Sequence, residues 1–234
     1  MDIENFKAFM KKSGKPEHTI RRYINSLNTY ENFLKTRQGT INLEGATPND
    51  LKEFVDWGIA ELDNVYKDLW GIRMVYGFTQ NEIMEMEATK WMAYVQNESR
   101  KLNEFPEVNR DDIQKLSSIG IITVNQLLKA SGTTQEQKEL ADKSGASDET
   151  ISELIKLSTL SRLPGIKKIR ARLFYDAGLD SYSKIAALGP EEVQQIQREY
   201  IQKTGFKGSA STYSEASSAV MMARYFVKHD PMNK

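Results

Sequence analysis

Apolar residues in this chain recur every three to four positions from one end to the other, and no stretch alternates apolar and polar residues as a half-buried strand does. That period predicts an all-α fold: amphipathic helices, punctuated by 14 glycines and 6 prolines, each burying one stripe. A first helix is expected over residues 2–13, with Ile3, Phe6, Phe9 and Met10 on one side and Gly14 as its stop. Pro16 opens a second, burying Ile20, Ile24, Leu27, Tyr30 and Leu34 and turning Arg21, Arg22, Asn25, Asn28 and Thr29 outward. After a loop around Gly39 to Gly45, Thr47-Pro48-Asn49-Asp50 reads as an N-cap, a proline at the first helical position and an acid three residues on. The next helix should bury Leu51, Phe54, Val55, Ile59 and Leu62, and a fourth should carry Val65, Leu69, Ile72, Val75 and Phe78. A fifth is expected over 80–102 through Ile83, Trp91 and Val95. The segment 103–109, with Pro106 inside it, is the expected boundary between an N-terminal bundle (1–104) and a second domain (109–228) of shorter, Gly-punctuated helices.

No run of 18 apolar residues and no basic-then-apolar leader is present, so neither a membrane span nor a signal peptide is expected. The absence of cysteine excludes disulfides and thiolate-ligated metal and fits a reducing cytoplasm. Two histidines far apart, His18 and His229, give no basis for a metal site, and no cofactor is implied. The 32 cations balance the 32 anions, but unevenly along the chain. Residues 1–40 carry eight cations against four anions, 41–105 six against twelve, 106–150 five against eight, and 151–208 ten against six. Two basic segments therefore flank an acidic middle, and distribution matters more than the sum for a polyanionic partner.

The second basic segment holds Leu163-Pro164-Gly165-Ile166-Lys167-Lys168-Ile169-Arg170-Ala171-Arg172, a Pro-Gly turn between two helical patterns. Five Lys/Arg and no acid lie between Arg162 and Arg172. A turn leading into a helix N-terminus leaves backbone N–H groups free, an anion cradle that cations would reinforce. Gly165, Ile166, Lys167, Lys168, Arg170 and Arg172 are thus candidate phosphate contacts. Gly120 to Leu128 aligns, 58 positions on, with Gly178 to Ala186: a helix stop, an apolar anchor, a hydroxyl N-cap (Thr123 or Ser181) and a short helix. A duplicated helical hairpin explains this, with the earlier copy expected to have lost its turn, because Asn109-Arg110-Asp111-Asp112 stands where Pro-Gly is sought. Between the copies, Ala141, Gly145 and Ile151 have helix-turn-helix spacing, but Asp148, Glu149 and Glu153 put the wrong charge on a recognition helix, so the pair reads as structural.

Leu163, Pro164, Gly165, Ile166, Gly178, Leu179 and Ser181 resemble the helix-hairpin-helix motif of DNA-repair and recombination proteins, with Lys167 where the motif has a second glycine. Residues from about 109 to 228 resemble a bacterial and archaeal family of unknown function, DUF4332, through Leu140-Ala141, Gly145, Ile151 and Leu163 to Ile166. Phe6 to Phe9, Lys15 to Tyr23, Leu27 to Leu34 and the apolar Leu51, Phe54 and Val55 resemble the SAM-like core-binding domain of tyrosine recombinases (phage integrases). That resemblance implies a DNA-clamping bundle whose exposed face offers Lys15, Arg21, Arg22 and Asn25. The catalytic half of such an enzyme is missing. His18-x-x-Arg21 lies in the wrong domain, Tyr213 and Tyr225 lack Arg/His company, and no phosphate loop or nucleophile elbow occurs. The acids of 82–87 read as a solvated helix side, 205–209 as a helix stop followed by an N-cap, and Met221, Met222, Tyr225 and Phe226 as core. The expectation is a non-enzymatic, cytoplasmic, nucleoid-associated prokaryotic protein that binds duplex or branched DNA with little regard for sequence. Its rivals are a protein–protein adaptor or homodimer using Trp57, Trp70 and Trp91, and a catalytically dead recombinase relative.

Overall fold

A computed structural model describes residues 2–37 and 42–229. Gly39, expected in the loop before the third helix, lies outside them. The described residues form thirteen α-helices, one 3-10 turn and no strand, an all-α fold. The chain divides into two units, Met1–Val95 and Gln96–Lys234.

The first unit contains α1 (Ile3–Lys12), α2 (Glu17–Lys35), α3 (Pro48–Glu61), α4 (Val65–Phe78) and most of α5 (Glu82–Glu98). Asp2 caps α1 by accepting from the N–H groups of Glu4 and Asn5, and α2 starts directly after Pro16. The capping box at α3 forms: Thr47 N–H donates to Asp50 at 2.8 Å, and Asp50 N–H returns to Thr47 Oγ1 at 3.3 Å. One core joins Phe6, Met10, Ile20, Leu27, Tyr30, Leu34, Leu51, Phe54, Leu69, Ile72 and Val75. Helix α2 crosses α4 where Gly71 meets it: a Cβ there would lie 2.7 Å from Ser26 Cβ and 3.0 Å from the Tyr23 carbonyl. The close crossing therefore requires a residue without a side chain. Two expected core positions are instead exposed, Ile59 and Ile83. In α5 the buried line is Met84, Ala88 and Met92, one register step from the expected Ile83, while Trp91 and Val95 pack half-buried beside it.

The second unit contains the end of α5, a 3-10 turn (Leu102–Glu104), α6 (Arg110–Ser118), α7 (Val124–Ala130), α8 (Thr134–Ser144), α9 (Asp148–Leu160), α10 (Lys168–Asp176), α11 (Tyr182–Ala186), α12 (Pro190–Thr204) and α13 (Tyr213–His229). Residues 103–109 lie inside this unit, with Phe105 and Val108 buried. The 58-residue repeat recurs in hydrogen bonds. Ile121 N–H closes on Leu116 O at 3.0 Å, as Leu179 N–H does on Phe174 O at 2.8 Å. Thr123 then caps α7 through Gln126 N–H, and Ser181 caps α11 through Lys184 N–H. Asn97 and Arg100 both donate to the Ser161 carbonyl, at 3.2 and 3.1 Å, fastening the end of α5 to the end of α9. Met222 and Phe226 are buried as expected, but Met221 points to solvent.

Candidate functional site

The turn before α10 is built by its own sequence. Pro164 presets its φ, Gly165 takes φ +74°, and Ile166 N–H donates back to Leu163 O at 3.1 Å. Leu163 and Ile166 bury their side chains on either side, which fixes the turn to the body of the unit. The N–H of Ile166 is thus consumed by the turn, and the groups left for an anion begin one residue later. Lys167 occupies the N-cap position, and an ammonium cannot accept a hydrogen bond. No side chain caps α10, and among the described residues no protein acceptor takes the first-turn N–H groups of Lys168, Ile169 or Arg170.

The cations around this end differ in how committed they are. Lys167 is exposed with no carboxylate recorded against it among the described residues. Lys168, also exposed, lies 3.7 Å from Glu104. Arg170 is mostly covered and 2.6 Å from Glu215, whose carboxyl is held below its usual range first by the Thr212 backbone and then by Arg170. Arg172 is buried. Burial opposes its charge, but Glu153 at 2.5 Å and Asp176 at 3.0 Å outweigh that and keep it ionised. Of the residues expected to contact phosphate, the structure brings Gly165, Lys167, Lys168 and Arg170 to one cleft and turns Arg172 into the interior. That cleft, about 430 Å³, is closed opposite α10 by the loop 206–209. Sequence reasoning missed this second wall. Its signal was an aromatic, Phe206, set between Gly205 and Gly208 in an otherwise polar segment.

The earlier copy has not lost its turn, contrary to expectation. The 58-residue offset pairs Pro164 with Pro106 rather than with any residue of 109–112. Phe105-Pro106-Glu107-Val108-Asn109 then stands for Leu163-Pro164-Gly165-Ile166-Lys167. Glu107 has φ +60° where Gly165 has +74°, and Phe105 and Val108 are buried like Leu163 and Ile166. Asn109 is the N-cap of α6 and accepts from the N–H groups of Asp111 and Asp112 at 3.0 and 3.2 Å. Asp112 is buried and does not face solvent. It accepts from Lys115 at 2.8 Å and from Ser147 Oγ and N–H at 2.8 and 3.2 Å. The Lys115 ammonium, against the opposing effect of burial and with help from Ser147 and Thr150, holds its carboxyl far below the usual range. Asp112 thereby ties α6 to the start of α9, the second helix of the helix-turn-helix pair, whose Asp148 and Glu149 are exposed.

In the first unit, Arg21, Asn25 and Asn28 share one exposed line of α2, with Arg22 beside them and Lys15 just before the helix. Arg22 lies 5.3 Å from the Tyr23 ring, and no carboxylate is recorded against Arg21 or Arg22 among the described residues. The three tryptophans do not form one surface. Trp70 and Trp91 pack half-buried on the core, with Arg73 and Lys90 at 5.7 and 5.2 Å from their rings. Trp57 is 37% exposed against Phe33. Among the described residues no helix is long and apolar enough to cross a membrane.

The chain matches no curated protein and no solved structure. Residues 106–224 match the model of a family described as Domain of unknown function (DUF4332), from the proline of the first turn through α13 as far as Arg224. The match spans more than half of the 234 residues, and the chain therefore belongs to the DUF4332 family.

Proposed function

We propose that this protein is a non-catalytic binder of DNA backbone and that the turn between α9 and α10 is where its second unit holds a phosphate. One observation carries the reading: the N-terminus of α10 is left open where its copy, α6, is capped by Asn109. A helix start with three free N–H groups, beside one unpaired and one weakly paired lysine, is built for a phosphate oxygen. The order apolar-Pro-Gly-apolar before α10, with Gly178-Leu179 and the Ser181 cap after it, supports a helix-hairpin-helix reading of the unit. Lys167 and Lys168 are the contacting cations. Arg170 stands at the edge with Glu215, and Arg172 braces α10 from behind through Glu153 and Asp176.

The first unit contributes a second phosphate-facing surface, Lys15, Arg21, Arg22 and Asn25, in line with a SAM-like, integrase-type bundle. Contacts of this kind position a protein on a strand without reading bases, so binding should tolerate any sequence, and a prokaryotic cytoplasm holding the nucleoid is the fitting place for it. With about three phosphates neutralised on the second unit, log K should fall by about 2.7 per tenfold rise in salt from that surface alone. Fluorescence anisotropy with labelled duplex at two salt concentrations tests this. Lys167→Glu with Lys168→Glu should weaken binding by well over tenfold without unfolding the protein, since both side chains are exposed. A flat salt response, or undiminished binding by the double variant, would overturn the proposal.

A further inference from the structure

The surface of α10 is one wall of a cleft and not an open shelf. The segment 206–209, between α12 and α13, forms the other wall, and the cleft has a volume of about 430 Å³. One side of the cleft is charged, through Lys167, Lys168 and Arg170. Ile169 and Leu173 on the same helix and Phe206 opposite are apolar, with the polar Ser209 beside them. Ile169 is 43% exposed in the middle of the cations, a position where a solvated helix turn would ordinarily carry a polar residue. Gly208 N–H donates to Phe206 O at 3.0 Å and folds the loop back on the Phe206 ring. A Cβ at residue 208 would lie 2.7 Å from that ring and 3.5 Å from Ile169, so the glycine lets the aromatic wall close up to α10.

A lone phosphate would leave the apolar wall unused, and an apolar ligand would leave the lysines unused. A nucleotide carries both parts, an anionic phosphate and a flat base with a π-face. Inside a duplex both faces of a base are covered by its neighbours, so a base that enters the cleft beside Phe206 has left the stack. We infer that the cleft takes one unpaired nucleotide of a DNA strand, its phosphate on the Lys167–Lys168 side and its base against Phe206 and Ile169. This deepens the phosphate-binding reading and rests on it. The protein therefore prefers single-stranded tails, gaps or branches over fully paired duplex. The Lys168–Glu104 pair, at 3.7 Å between half-exposed side chains, is weak enough to give way to the incoming phosphate.

The full-length protein, titrated by anisotropy against blunt duplex, duplex with a two-nucleotide gap, and duplex with a short single-stranded tail, tests the inference. Gapped and tailed DNA should bind about tenfold tighter than blunt duplex, the size expected for one stacked base. A tail of abasic residues, which keeps every phosphate and removes every base, should fall back to the duplex value. Phe206→Ala should lose the same preference, and Phe206→Trp should keep it. Equal affinity of the native protein for abasic and base-bearing tails, with salt-dependent duplex binding intact, would overturn the cleft assignment and leave the phosphate reading standing. Failure to bind any of the DNAs would overturn both. Nucleoside monophosphates that saturate the protein without being displaced by the tailed strand would assign the cleft to a free nucleotide and overturn the strand inference.

Discussion

Residues 105–109 and residues 163–167 enter their helices by the same route: a buried apolar residue, proline, a residue at positive φ, a second buried apolar residue, and the helix N-cap. They part at the positions that packing does not dictate. The first turn has Glu107 and Asn109, and the asparagine satisfies two of the orphan N–H groups of α6. The second has Gly165 and Lys167, and the start of α10 is left without a cap. An N-cap of this type is worth about 1 kcal/mol, so placing lysine there forgoes stability that its sister turn keeps. The charges part in the same way. Asp112, one turn into α6, is spent on Ser147 and Lys115, whereas Arg170, at the equivalent position of α10, pairs with Glu215 at the edge of the cleft. One copy is capped by its own side chains and the other is not.

If the first copy is a brace, breaking it should be felt in stability before anything else. Asp112→Ala leaves the Ser147 N–H without its acceptor and the Ser147 hydroxyl with Thr150 alone, loosens the start of α9, and should cost about 2 kcal/mol in urea or thermal unfolding. The same carboxylate gives a pH signature. Its folded pKa is depressed, so its contribution is complete above the unfolded value near about 3.9 and is lost as pH falls toward the folded one. Asp180 and Glu215 are shifted in the same direction and add to it. Wild-type stability should therefore drop as pH is lowered below about 5, and the drop should be shallower in Asp112→Ala. A variant as stable and as acid-sensitive as the wild type would remove the brace from the comparison.

The second test converts one copy into the other. Lys167→Asn gives α10 the cap that α6 already has, filling the first-turn N–H groups from within and removing one cation. It should raise stability by about 1 kcal/mol and weaken DNA binding by about tenfold. The opposed signs matter, because a substitution that merely damaged the fold would lower both. Unchanged affinity would show that the open N-terminus of α10 is not the contact.

Much of the fold was written plainly. Thr47 with Asp50, and Thr123 and Ser181, announced helix starts through local chemistry, and the helical period carried the cores of α2 and α4. The register of α5 was missed because Ile83 and Met84 are adjacent and both apolar, and only tertiary packing selects the line through Met84, Ala88 and Met92. At the site, the Pro164-Gly165 turn was legible because Pro and Gly have backbone meanings of their own. The charge balance was not. Arg170 finds Glu215 and Lys168 finds Glu104, partners tens of residues away that no window of sequence connects. Nor was the turn at 106–107 seen, since a glutamate holds the positive φ where a glycine was sought.

That glutamate supplies the smallest test of the pair. At φ +60° an L-side chain bears a left-handed penalty of about 1 to 2 kcal/mol, which glycine escapes. Against this, glycine loosens the unfolded chain by about 0.4 to 1 kcal/mol. The ion pair lost, Glu107 to Arg172 at 3.9 Å with the glutamate 70% exposed, adds little. Glu107→Gly should thus raise stability by about 0.5 kcal/mol. Gly165→Ala runs the exchange backwards. Nothing lies within 4 Å of the added Cβ, so the backbone strain at φ +74°, about 1 to 2 kcal/mol, is offset only by the stiffer unfolded chain, and the net loss should be about 0.5 kcal/mol. Chemical denaturation of the two variants side by side measures both. Shifts of opposite sign would show that the two turns share one backbone conformation that glycine fits better, and that the glutamate is retained in the first copy at a small standing cost in stability. Shifts of the same sign would mean that the two turns, for all the likeness of φ at Glu107 and Gly165, are held by different surroundings.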